Sequence, residues 1–117
     1  MQYLCLIYDD ETTWDALPED ERTAVYNEYM TFTESIRESG NLVSADQLQP
    51  TATATTVRIR DGKTLVTDGP FAETKEQLGG YYLIEAKDVD EALKIAERIP
   101  SARYGSIEVR PVVVWDS

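Results

Sequence analysis

"TTVRIRDGKTLVTDGPFAETKEQLGGYYLIEA", residues 55–86, decides how the chain folds. Its first part reads as a β-hairpin. Asp61-Gly62 suits the two left-handed positions of a type I′ turn, and β-forming residues alternate on both sides. A two-residue loop pairs Arg60 with Lys63, Ile59 with Thr64, Arg58 with Leu65 and Val57 with Val66. Val57, Ile59 and Val66 then share one face, and Arg58, Arg60 and Leu65 share the other. The run stops at Asp68-Gly69-Pro70-Phe71, where Gly relaxes the backbone and Pro cannot extend a central ladder. A polar loop carries the chain past Gly79-Gly80 to a new strand at 81–86.

Working outward, "QYLCLIY" (2–8) is a nearly continuous apolar run, as in a central strand covered on both faces. The acids of Asp9-Asp10-Glu11 break it. The segment 17–41 predicts a long helix, with Pro18 at its first position and Glu19, Asp20 and Glu21 beside the positive end of the dipole. Val25, Tyr29, Phe32 and Ile36 form its apolar stripe, and Gly40-Asn41 stops it. Residues 42–49 predict a strand. Residues 87–100 predict a second helix, capped by Asp88 and Glu91, with Val89, Ala92, Leu93, Ala96 and Ile99 inward. The last strand, 106–115, contains Pro111 and so lies at an edge or bulges there.

The order strand, helix, strand, hairpin, strand, helix, strand is the βαββαβ pattern of a ferredoxin-like α+β domain. It predicts one domain over 1–117, with an antiparallel sheet and two helices on one of its faces. The strands carry apolar residues of both parities, so the other sheet face is expected to pack against a second copy in a two-fold homodimer.

Composition bounds the function. Eleven basic against 22 acidic residues give a net charge of -11. Such a surface argues against direct nucleic-acid binding and against an anionic membrane leaflet. The single cysteine, Cys5, excludes an internal disulfide. With no apolar leader and no membrane span in the pattern, a cytoplasmic protein is expected. The chain has no histidine, which removes Ser-His and Cys-His nucleophile pairs and His-ligated metal sites.

"MQYLCLIYDDETTW", "LQPTATATTVR", "DGKTLVTDGPFAETKEQLGGYYLIE" and "IPSARYGSIEVRPV" together resemble the DGPF branch of the YCII-related family, over essentially the whole chain. The resemblance implies a dimeric α+β barrel and no established reaction. Better-known relatives have a proposed His-Asp pair in a cleft, which this histidine-free chain cannot reproduce. The resemblance also implies association with extracytoplasmic-function sigma factors.

Among candidate site residues Asp68 comes first. It lies on the face of Val57 and Val66, expected to be the buried side. It either caps the turn by accepting from Phe71 or Ala72 N–H, or serves as a cleft carboxylate that binds ligand or acts as general base. Lys75, Arg58 and Arg110 are candidate contacts to a small anionic metabolite, unless acids such as Glu108 pair with the arginines. Tyr81 is a candidate ligand-binding phenol, and Tyr8, Tyr26 and Tyr82 read as core or interface. Phe71 reads as a plug for core or seam, and Glu73 and Glu76 as solvated charges. Ser44, Asp46 and Gln47 are placed on a strand flanking the hairpin, as candidate pocket residues. Asp9-Asp10-Glu11 reads as helix-start chemistry, with a hard-cation site as the alternative. Cys5 reads as core. No cofactor or metal is expected. Two functions fit this pattern: a small-molecule cleft near the Asp68 loop, catalytic without cofactor, or an interaction module for a sigma factor.

Overall fold

The computed structural model describes residues 1–115. Strand β1 (Gln2–Asp9) leads through a short helix α1 (Glu11–Ala16) into the long helix α2 (Glu19–Glu38). Strand β2 (Leu42–Gln47), the hairpin β3 (Thr55–Arg60) and β4 (Lys63–Asp68), strand β5 (Gln77–Glu85), helix α3 (Val89–Ala96) and strand β6 (Ser106–Pro111) follow. The main sheet has the order β2-β5-β1-β6 and every pairing in it is antiparallel. With β3 and β4 set aside, this is the ferredoxin-like α+β arrangement. No closed barrel forms within one chain. Among the described residues no helix is long and apolar enough to cross a membrane.

Among the described residues three α-helices are present where the sequence predicts two. The additional one, α1, starts at Asp10, whose carboxylate accepts from the Thr12 N–H at 2.9 Å and hydroxyl at 2.6 Å. The acidic run is thus helix-start chemistry. Helix α2 begins one residue after Pro18 and buries Phe32 and Ile36, with Val25 and Tyr29 half-buried. In α3 the inward residues are Ala92, Ile95 and Ala96, followed by Ile99, while Val89 and Leu93 remain exposed. The buried face is turned by about one residue from the predicted one. Asp88 caps α3 by accepting from Glu91 N–H at 2.9 Å.

Alternation along β1 divides the molecule. Tyr3, Cys5 and Ile7 face the helices and are buried, with Tyr82 and Ile84 of β5 beside them. Ile36, Ile84 and Ile99 are wholly enclosed, each contributing roughly 1.5–3 kcal/mol of burial. Phe32 meets Tyr82 edge to face, with centroids 5.1 Å apart. Burial pushes the Cys5 thiol up to about 11, the behaviour of an inert core thiol. Leu4, Leu6, Tyr81 and Leu83 lie on the face without helices and are only half-buried.

The hairpin forms in the predicted register, with Asp61 and Gly62 both at positive φ, as a type I′ turn demands. Its place is different from the prediction. The strands β3 and β4 make a separate two-stranded sheet that packs on no other strand. Val57, Ile59 and Val66 are 64%, 66% and 66% exposed, so this stripe faces solvent and forms no core. The chain has a radius of gyration of 16.4 Å, against roughly 13 Å for a compact domain of this length. The excess reflects the projecting arm and a body only one sheet and one helical layer deep.

Gly79 and Gly80 lie within β5, which starts at Gln77 and not at Tyr81. A Cβ on Gly80 would come within 2.8 Å of the Asp46 carbonyl oxygen, which makes Gly80 a close-packing position. The tightest position is Gly105, where a Cβ would lie 2.2 Å from the Tyr8 carbonyl oxygen. Gly105→Ala is therefore expected to destabilise the protein by about 2–3 kcal/mol, the upper range for overpacking. Urea unfolding at fixed protein concentration measures it. A loss below about 0.5 kcal/mol would show that the β6 entry can yield without strain.

Candidate functional site

A cavity of about 320 Å³ opens between the helical layer and the β2–β5–β1 part of the sheet. Ile7 and Asp9 of β1, Trp14 of α1, Tyr26 and Tyr29 of α2, and Ser101 and Tyr104 before β6 line it. Trp14 and Tyr26 form an edge-to-face pair with centroids 5.4 Å apart, so one wall is aromatic. The volume lies at the small end of ligand pockets, enough for one ring-sized molecule.

The polar end of the cavity starts at Asp9. Two-residue alternation places Asp9 on the face of Tyr3, Cys5 and Ile7, at the point where the core ends and the cavity begins. Ser101, only 2% exposed, donates its hydroxyl proton to Asp9 Oδ2 at 3.3 Å. Ser101 Oγ also forms a short hydrogen bond with the Tyr29 hydroxyl. The single serine proton is committed to Asp9, so Tyr29 must donate to Ser101. The result is a directed chain from phenol to hydroxyl to carboxylate.

Burial pushes the Asp9 carboxyl above its ordinary value of 3.8; the Ser101 hydrogen bond opposes that rise, and the charges of Glu76, Glu11 and Asp10 add to it. Every charge acting on Asp9 here is another carboxylate. Burial also raises the Tyr29 phenol to about 12, so it remains a donor at neutral pH. The Tyr104 phenol is pushed up by burial too, with Ser101 opposing.

Glu11 fixes the wall. Its carboxylate accepts from Thr51 N–H and from the Thr51 hydroxyl, both at 2.8 Å, and its own N–H donates to Gln77 Oε1 at 3.0 Å. These bonds tie α1, and hence Trp14, to the segment that precedes the arm and to the start of β5. The three consecutive acids have separate tasks: Asp9 faces the cavity, Asp10 caps α1, and Glu11 cross-links.

The residues singled out in the sequence do not converge. Asp68 ends β4 and is exposed. It shares the face of Val57 and Val66 as expected, but that face is not a buried one. The turn after it is held instead by Gly69 N–H to the Ala54 carbonyl at 2.7 Å and by the Thr56 hydroxyl to the Gly69 carbonyl at 2.8 Å. Arg58 donates to the Phe71 carbonyl at 3.0 Å, and Arg110 pairs with Glu108 at 2.7 Å. Lys75 sits on the exposed loop; the hydrogen bonds from Thr12 hold the Asp10 carboxyl low, and the Lys75 charge adds least to that. None of these four lines the cavity.

Tyr81 borders the cavity, but its hydroxyl donates to Asp46 Oδ2 at 2.6 Å. Phe71 is exposed and plugs nothing within the chain. Asp46 and Gln47 border the cavity, on a strand that flanks β5 and not the hairpin. Trp14, Tyr29, Ser101 and Tyr104 were missed. The parity of Asp9 was the available signal, whereas the approach of Ser101, 92 residues away in sequence, was not readable.

A model of the YCII-related domain matches residues 1–116. An uncharacterised protein of Rhizobium meliloti (strain 1021) is 41% identical over 117 residues, covering 98% of this chain and 94% of that protein. A solved structure of similar fold is 5-chloro-2-hydroxyhydroquinone dehydrochlorinase from Burkholderia phenoliruptrix AC1100, in complex with 2,5-dihydroxybenzoquinone. It superposes with a TM-score of 0.56 at 15% identity, covering 97% of this chain and 94% of that one. At that identity the likeness establishes the fold.

The raised Asp9 carboxyl has a thermodynamic consequence. The native state binds this proton more tightly than the unfolded chain, so the destabilising term is absent below about 3.8 and full above the native value. Asp9→Asn keeps an oxygen for Ser101 and removes the charge. The variant is expected to have a higher urea midpoint than wild type at pH 7, with the gain shrinking as the pH falls toward 3.8. A lower midpoint at pH 7 would mean that the carboxylate stabilises the fold.

Proposed function

The chain belongs to the YCII-related domain family, and on that footing we propose that the cavity binds a small, uncharged, hydroxylated ring with which Asp9 exchanges a proton. The observation that carries this reading is the half-buried Asp9 carboxyl, which meets only like charges and receives a Ser101–Tyr29 chain of hydroxyls at the cavity wall. A folded protein gains nothing from such an arrangement, and its survival is what a site residue explains.

The ligand class follows from the walls. Trp14, Tyr26, Tyr29 and Tyr104 offer flat apolar surface to a ring. The carboxylates of Asp9, Glu11 and Asp15 are in the lining, and among the described residues no arginine or lysine is. An anionic metabolite would meet repulsion there, so a neutral ligand is the better match. The dehydrochlorinase of similar fold is named for a chlorinated hydroquinone and was solved with a dihydroxyquinone, which agrees with a ring-sized guest. Asp9 as carboxylate would accept a proton from a ring hydroxyl. The protonated carboxyl would return it to a ring carbon or oxygen. This chemistry needs no histidine.

We further infer that the working unit is a homodimer, formed over the sheet face that carries Leu4, Leu6 and Leu83 without helical cover.

Hydroquinone, which is uncharged at neutral pH, serves as the probe, titrated into protein followed by amide chemical shifts. Binding is expected to perturb Ile7, Asp9, Trp14, Tyr29 and Ser101. Asp9→Asn is expected to weaken it by about tenfold or more, the value of one charge-assisted hydrogen bond. Equal affinity in the variant, or shifts confined to the arm and the Asp68 loop, would contradict the assignment.

A further inference from the structure

We propose that the β3–β4 arm is an exchange element: each copy lays its Val57, Ile59 and Val66 stripe on the open sheet face of a second copy. The inference rests on the homodimer reading above and names the contact that makes the dimer.

The arm has no cover in its own chain. Its two strands pack on each other and on no other strand or helix to any extent. Isolated two-stranded hairpins are marginal in water. Here the three apolar side chains of one face are each about two-thirds exposed, where an arm meant for solvent would carry polar residues. The two strands of the arm are clamped together at its root, by Gly69 N–H to the Ala54 carbonyl and by the Thr56 hydroxyl to the Gly69 carbonyl. Glu11 fastens the turn just before it through Thr51. A rigid root with an uncovered apolar blade describes a docking element, whereas a floppy loop would have neither.

Charge selects the occupant. Over Thr55–Asp68 the arm carries Arg58, Arg60 and Lys63 against the two acids Asp61 and Asp68. The whole chain has 22 acids and 11 bases, so the body to which the arm is attached is strongly acidic. A basic arm is attracted to the body of another copy, while two bodies alone repel. The receiving surface is on the same molecule: Leu4, Leu6 and Leu83 on the open face, flanked by Asp46 on β2 and by the paired Glu108 and Arg110 on β6. Donor and acceptor surfaces on one chain that do not touch each other require a second chain. A two-fold axis satisfies both at once and closes the assembly.

Sedimentation equilibrium of wild type and of the Val57→Thr/Ile59→Thr/Val66→Thr variant tests this. Threonine keeps the β-branched shape, so the hairpin register is retained. Wild type is expected to sediment as a dimer, and the variant to dissociate at a concentration at least about tenfold higher. A wild-type dimer with an unchanged variant would overturn the arm inference alone and leave the homodimer reading standing. A wild-type monomer at all concentrations would overturn both. If the variant misfolds, a mixed sample of labelled and unlabelled wild type decides. Contacts between Val66 methyls of one chain and Leu4, Leu6 or Leu83 methyls of the other support the arm contact, and their absence in a dimeric sample overturns it.

Discussion

Strand β1 is paired on both sides, by β5 and by β6, so its alternation cannot slip without moving both neighbours. That constraint sets most of what the molecule is. One parity, Tyr3, Cys5 and Ile7, makes the floor on which Phe32, Ile36 and Ile99 pack. The other parity, Leu4 and Leu6, is left on a sheet face with no helix over it. The same parity rule carries Asp9 to the helical side after the last buried residue. A carboxylate there cannot reach bulk water freely, and no basic side chain lines the space beside it. The core, the open face and the titrating group are three outcomes of one register.

The fold was largely legible because its signals are local. The Asp61-Gly62 turn fixes the hairpin register residue by residue, and the helix caps and apolar periodicity place α2 and α3. What local signals cannot report is whether an amphipathic hairpin finds its cover inside its own chain. Val57, Ile59 and Val66 look like core residues in sequence, and in the folded chain they lie on an exposed face. The same error moved Asp68 to an expected buried position. Its parity was right and the burial of its face was wrong. Helix α1 escaped notice for another reason. With six residues it has too few for a periodic stripe, and its start was visible only as a run of acids.

The site was less legible. Carboxylates next to each other in sequence read as one cluster, yet Asp9, Asp10 and Glu11 point three ways because a strand ends and a helix begins within three residues. The partners of Asp9 come from α2 and from the turn before β6, at separations that no spacing rule covers. Arg58 and Arg110 were drawn into consideration as anion contacts, and each instead satisfies an acceptor on its own surface. Family resemblance pointed to a cleft that elsewhere uses histidine. On the proposed reading the proton-bearing groups of this chain are a carboxyl, a serine and a tyrosine, and burial raises the carboxyl above its ordinary value.

The most direct test of this account is the side-chain titration of Asp9, followed by carbon-detected NMR of its carboxyl in the wild-type protein. The account predicts a midpoint above the ordinary 3.8, since burial and the neighbouring carboxylates both disfavour the charge. A midpoint at or below 3.8 would mean that Asp9 is solvated or satisfied by donors, and the cavity would lose the group on which its chemistry depends.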